Sequence, residues 1–94
     1  MKEKTVKKET STVDGLELTF TLTRIDLEPR SVFGAAYSIG VELKDRATGK
    51  RERCVVADVS RNRSEAERLF RLAADGAVTP TTLPDVISDL LAEY

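Results

Sequence analysis

Chemistry in this 94-residue chain would have to rest on arginines and carboxylates, because histidine is absent. Without an imidazole the commonest general base and metal ligand is missing, which removes Ser-His-Asp, Cys-His and zinc-histidine sites. Cys54 is the single cysteine, so an internal disulfide and a cysteine zinc cluster are excluded. No GxGxxG or phosphate-binding loop occurs in the sequence. An enzyme is therefore not expected, and neither is a cofactor or a bound metal.

Two constellations remain. Arg61 and Arg63 precede a helix signal at Ser64, where free backbone amides favour an anion. Arg51 and Arg53 lie a few residues upstream, and Arg68 and Arg71 follow. Against phosphate, Glu65 and Glu67 occupy the same helix end, and no aromatic side chain interleaves the arginines for base stacking. The second constellation is Asp85 and Asp89, an i, i+4 pair on the polar side of the last helical pattern. Two isolated carboxylates are too few for a cation site, but they can meet a partner's arginines. Arg61, Arg63, Asp85 and Asp89 are the candidate partner-binding residues. Cys54 beside Arg53 has a cationic neighbour, yet a lone strand cysteine ordinarily serves as a small buried hydrophobe.

The elements that must position these groups are legible from periodicity. Asp14-Gly15 is a type I′ hairpin signal. Leu16, Leu18, Phe20 and Leu22 then alternate with polar residues as a half-buried strand. Residues 1–13 are either the edge strand of that hairpin, blunted by lysines, or a frayed tail. The shift of apolar parity to Ile25 and Leu27 suggests a bulge or a strand end. A loop at Glu28-Pro29-Arg30-Ser31 leads to the longest alternation, Phe33, Ala35, Tyr37, Ile39, Val41 and Leu43.

A three-residue loop at Ala47-Thr48-Gly49 would set Val41 against Val55, Ile39 against Ala57 and Tyr37 against Val59, all on one face. The polar face would then hold Thr19, Thr21, Ser38, Gly40, Glu42, Cys54 and Val56. Ser64 and Glu67 have capping-box spacing, and Ala66, Leu69, Phe70 and Ala73 form one helical face ended by Asp75-Gly76, with Gly76 left-handed. Thr81 or Thr82 caps a second helix with Pro84 in its first turn and an apolar stripe of Leu83, Val86, Ile87, Leu90 and Leu91.

Three stretches, Tyr37-Ser38-Ile39-Gly40, VADVSRNRSEAERLF and LPDVISDLL, resemble a family of short uncharacterised bacterial proteins of unknown function. The family's shape is a tyrosine-isoleucine strand, a helix and a closing L-x-D-V-x-x-D-(F/L)-L helix. The likeness covers about residues 37–92 and implies the same element order and a cytoplasmic setting, but no activity. Where family members carry S-P-x-H-L before the closing helix, this chain has Thr79-Pro80-Thr81-Thr82-Leu83 without the histidine.

The expectation is a single small α+β domain over residues 1–94, with an antiparallel meander sheet of three to four strands and two C-terminal helices packed on one face. Composition, 40% hydrophobic and 33% charged, is that of a soluble domain, with no stretch long enough to span a membrane. Net charge is −1, which does not favour a polyanion. A non-enzymatic, cytoplasmic protein-interaction or regulatory module follows, its protein partner unidentified and a homodimer reasonable. The alternative is weak nucleic-acid binding through Arg51, Arg53, Arg61 and Arg63.

Overall fold

The computed structural model describes residues 2–27 and 34–92. Strands β1 (Lys2–Val13), β2 (Leu16–Asp26), β3 (Ala35–Asp45) and β4 (Arg51–Ser60) are followed by helices α1 (Arg63–Asp75) and α2 (Leu83–Leu91). The strands form one antiparallel sheet in the order β1-β2-β3-β4, and both helices pack on one side of it. This is the α+β meander that the alternation patterns demand. The loop at residues 28–31 and Phe33 lie outside the described residues.

Asp14 (φ 49°) and Gly15 (φ 78°) both take positive φ, the type I′ geometry that Asp-Gly favours. The turn sets β1 against β2 from Val13↔Leu16 to Lys2↔Asp26, so residues 2–13 form an edge strand. Its register shifts between Thr5 and Lys7, where Val6 bulges and packs against the core. Of the two outcomes expected after Arg24, a bulge or the strand's end, β2 shows the second: it pairs with β3 without interruption from Leu16↔Asp45 to Asp26↔Ala35 and ends there. The parity change at Ile25 turns an apolar side chain to the helix-free face.

The β3–β4 loop also differs from expectation. It holds four residues, Arg46–Gly49, closed by the Asp45 amide donating to the Lys50 carbonyl (2.8 Å) and the Gly49 amide to the Asp45 carbonyl (2.7 Å). The Asp45 carboxylate accepts from the Ala47 amide (2.9 Å), which stabilises the extra residue. An even loop length inverts the parity of β4. Val41 therefore faces Cys54 and Ile39 faces Val56. Val55 and Ala57, expected in the core, lie on the opposite face, with Val55 50% exposed. Cys54 and Val56, expected on the polar face, point toward the helices.

Tyr37 pairs with Ser60, so β4 spans four residues where β3 spans two, with Asp58 at φ 52°. This bulge returns Val59 to the core, where it is buried as expected, though by a different route.

The cap of helix α1 lies two residues earlier than Ser64. Asn62 is the N-cap, and its side-chain oxygen accepts the Glu65 amide at 3.1 Å. Asn ranks with Ser as a cap, and Asn62-Arg63-Ser64-Glu65 has the same x-x-Glu spacing two residues upstream. Ser64 is exposed, and Glu67 pairs with Arg63 at 3.0 Å rather than with a cap amide.

At the other end Gly76 is right-handed (φ −82°), and Ala77 takes the left-handed conformation (φ 49°). The Val78 amide bonds the Ala73 carbonyl (3.2 Å) and the Ala77 amide the Ala74 carbonyl (3.1 Å), the Schellman pattern. Thr82 is the N-cap of α2, but its hydroxyl engages Thr79 instead of a helix amide.

The core lies between the sheet and the helices. Phe20, Leu22, Ile39 and Val41 from β2 and β3 meet Leu69 and Phe70 of α1 and Leu83 and Ile87 of α2, all at most 1% exposed. Val86 and Leu90 are only half-buried, and Leu91, expected in the core, is exposed. The short α2 rests on β4 and α1 through its Leu83/Ile87 stripe.

Candidate functional site

The helix-free face of the sheet is formed by side chains from all four strands. Cross-strand register builds it in rows. One row holds Thr5, Thr23 and Ser38; the next holds Lys8, Thr21, Gly40 and Val55; a third holds Thr10, Thr19, Glu42 and Arg53. Glu17, Lys44 and Arg51 extend it toward the hairpin ends, and Ile25 and Ala36 close the other end. The middle is hydroxyl-bearing or apolar and small, and the charges lie around it.

These rows enclose a shallow trough of about 360 Å³, lined among others by Thr19, Thr21, Thr23, Ser38, Gly40 and Val55. Gly40 is what gives it depth. A Cβ there would approach the Val55 side chain to 3.3 Å and the Cys54 carbonyl to 3.6 Å, so any larger residue would crowd β4.

Ser38 is 3% exposed, and its hydroxyl is buried without a hydrogen-bond partner among the described residues. An unsatisfied buried hydroxyl costs on the order of 1–3 kcal/mol, so natural structures rarely keep one without a reason. It stands on the central strand β3, under the trough. Periodicity placed Ser38 on this face but gave no sign that it would be buried and unpaired, since both depend on how neighbouring strands curve over it. Ile25, Val55 and Ala57 were missed as members of this face.

The predicted partner-binding residues do not meet. Arg61 makes a two-pronged pair with Asp58, Nε to Oδ1 at 2.9 Å and Nη2 to Oδ2 at 3.1 Å. The hydrogen bond from Arg61 and its charge hold the Asp58 carboxyl below the usual carboxylate range. This pair braces the bulge at the end of β4. Arg63 pairs with Glu67 and lines a second, smaller hollow with Lys4 and Arg24, the latter held by Asp26 at 3.0 Å. Arg51 approaches Glu42 at 3.8 Å near the opposite end of β4. The eight residues from Arg53 to Arg61 put the two arginine pairs roughly 20–25 Å apart along an extended strand.

Asp85 and Asp89 are exposed on α2, away from the sheet face. Among the described residues no group of three side chains of the metal-binding types comes together. Arg71 joins α1 to the edge strand through Glu9 at 2.8 Å, and that carboxylate raises its pKa further. Among the described residues no helix is long and apolar enough to cross a membrane.

No curated protein and no solved structure matches the chain. One family does, over residues 1–93, and by that coverage the chain belongs to the Family of unknown function (DUF6514).

Proposed function

We propose that this domain is a non-enzymatic, cytoplasmic protein-interaction module whose working surface is the helix-free face of the sheet. The observation that carries the reading is the trough with the unpartnered Ser38 hydroxyl beneath it. The face offers hydroxyls and small apolar side chains at its middle and mixed charge around them, the arrangement of a docking surface rather than a reaction centre. Arg61 and Arg63 are each paired with a carboxylate, Asp58 and Glu67, which offsets their charge and supports protein contact over a phosphate track.

Capture by the immobilised domain from a lysate of its own cells, with and without nuclease, tests this. Wild type, Thr21→Arg in the trough and an Arg61→Ala/Arg63→Ala double variant are compared. Nuclease-resistant capture, lost in Thr21→Arg and kept in the double variant, is expected. Nuclease-sensitive capture that depends on the arginines would establish nucleic-acid binding instead and overturn the reading.

A further inference from the structure

We propose that the occupant of the helix-free face is a second copy of this chain, docked sheet to sheet about a two-fold axis parallel to the strands. This rests on the reading that the face is a docking surface, and it adds the partner and its geometry.

The first argument is size. Four strands about 4.8 Å apart, with five outward rows about 6.8 Å apart, give a face of roughly 600–700 Å² per copy. Two such faces reach the lower end of the 1,200–2,000 Å² range of specific interfaces. The small residues at the middle of the face suit two sheets stacked about 10 Å apart.

The second argument is that the face complements itself. Turning one copy about an axis between β2 and β3 places β2 over β3 of the other copy, row upon row. Since Glu17, Thr19, Thr21 and Thr23 pair in register with Lys44, Glu42, Gly40 and Ser38 within one sheet, the same partners face each other between sheets. Glu17 then meets Lys44, a hydroxyl meets the Glu42 carboxylate, and Thr21 fits over the gap left by Gly40. β1 lies over β4, so the alkyl stem of Lys8 covers Val55, which is 50% exposed in the single chain. These rows bring no two like charges together.

Light scattering after size exclusion at about 100 µM reads the outcome, a concentration suited to the small interface. The mass is expected at twice the 10.4 kDa of one chain. Thr21→Arg, which drives a long cation into the Gly40 gap, is expected to give the single-chain mass with unchanged circular dichroism. Glu17→Lys alone and Lys44→Glu alone each create two like-charge contacts across the axis and should weaken association roughly 10–100-fold. An equimolar mixture of the two should recover the double mass. In it the introduced lysine of one copy faces the introduced glutamate of the other, while each chain's own Glu17–Lys44 neighbour pair stays broken. That recovery cannot come from repaired folding.

A wild-type chain of 10.4 kDa, a double mass indifferent to Thr21→Arg, or a mixture that stays dissociated overturns this arrangement. If the wild type is single yet Thr21→Arg abolishes capture of another protein, the second copy is the wrong occupant and the docking surface stands. If Thr21→Arg changes neither mass nor capture, both fall.

Discussion

Replacing Ala77 by glycine should make this protein more stable, although it removes a methyl group and adds freedom to the unfolded chain. Ala77 sits at φ 49°, the left-handed conformation just past α1. A Cβ in that region costs about 1–2 kcal/mol. Against this, glycine gives the unfolded chain extra entropy worth roughly 0.5–1 kcal/mol. Ala77 is only half-buried, so little packing is lost. The net is a gain of about 0.5–1 kcal/mol, or roughly +2 to +8 °C in Tm for a domain of this size. Gly76→Ala is the companion. Gly76 is right-handed at φ −82°, and a Cβ there would lie 3.2 Å from the Leu72 carbonyl and 3.7 Å from Val78. That contact is tight but needs no left-handed backbone, and the effect should stay within about 0.5 kcal/mol. Urea melts at constant m-value read both. A neutral or destabilising Ala77→Gly together with a loss above about 1 kcal/mol for Gly76→Ala would refute the assignment and return the left-handed residue to Gly76.

Asn62→Ala should destabilise by about 1 kcal/mol in the same melts, through loss of the bond to the Glu65 amide, while Ser64→Ala changes little; the reverse order would put the helix start back at Ser64. Asp58→Asn keeps a residue tolerant of positive φ but removes the charge that holds Arg61. Because Asp58 has its pKa lowered in the folded chain, the pair's contribution is complete above the ordinary carboxylate pKa near 3.9 and disappears as pH falls below it. Both partners are at least half exposed and solvent screens them, so wild type should exceed Asp58→Asn by only a small shift in urea midpoint at pH 7. The two midpoints should converge near pH 2, and a gap that persists in acid would mean that the side-chain charge is not what braces the bulge.

Most of the architecture could be read from pattern because β2, β3 and the two helices each bury one face and wet the other. Leu18, Phe20 and Leu22 alternate cleanly and are buried; Ala66, Leu69, Phe70 and Ala73 recur at helical spacing and are buried. Asp14-Gly15 specified its turn by backbone chemistry alone, and the register of β1 followed from it. What pattern could not decide were ties between local competitors. Asn62 and Ser64 are equal caps two residues apart, and local pattern does not separate them. Asp75-Gly76-Ala77 offers an obvious left-handed residue, but the Schellman bonds place that conformation one position later. The loop after β3 looked one residue shorter because nothing in periodicity shows the Asp45 carboxylate accepting the Ala47 amide.

The parity of β4 failed for a different reason, and that failure bears on function. Aligning Val55, Ala57 and Val59 with Val41, Ile39 and Tyr37 assumes that apolar residues share the one buried face and that the other face is wet. The strand breaks the assumption: Cys54 and Val56 point inward while Val55 and Ala57 point outward, and Ile25 on β2 does the same. A strand that is apolar on both faces is expected where both faces are covered. Among the described residues the helices cover one side of β4 and leave Val55 and Ala57 exposed on the other. Local sequence and single-chain burial therefore conflict at the face where the Ser38 hydroxyl also lacks a partner. Such conflicts concentrate where a sequence answers to something other than its own fold. Here a second sheet, laid over Thr21, Gly40 and Val55, would cover the apolar side chains that β4 turns outward.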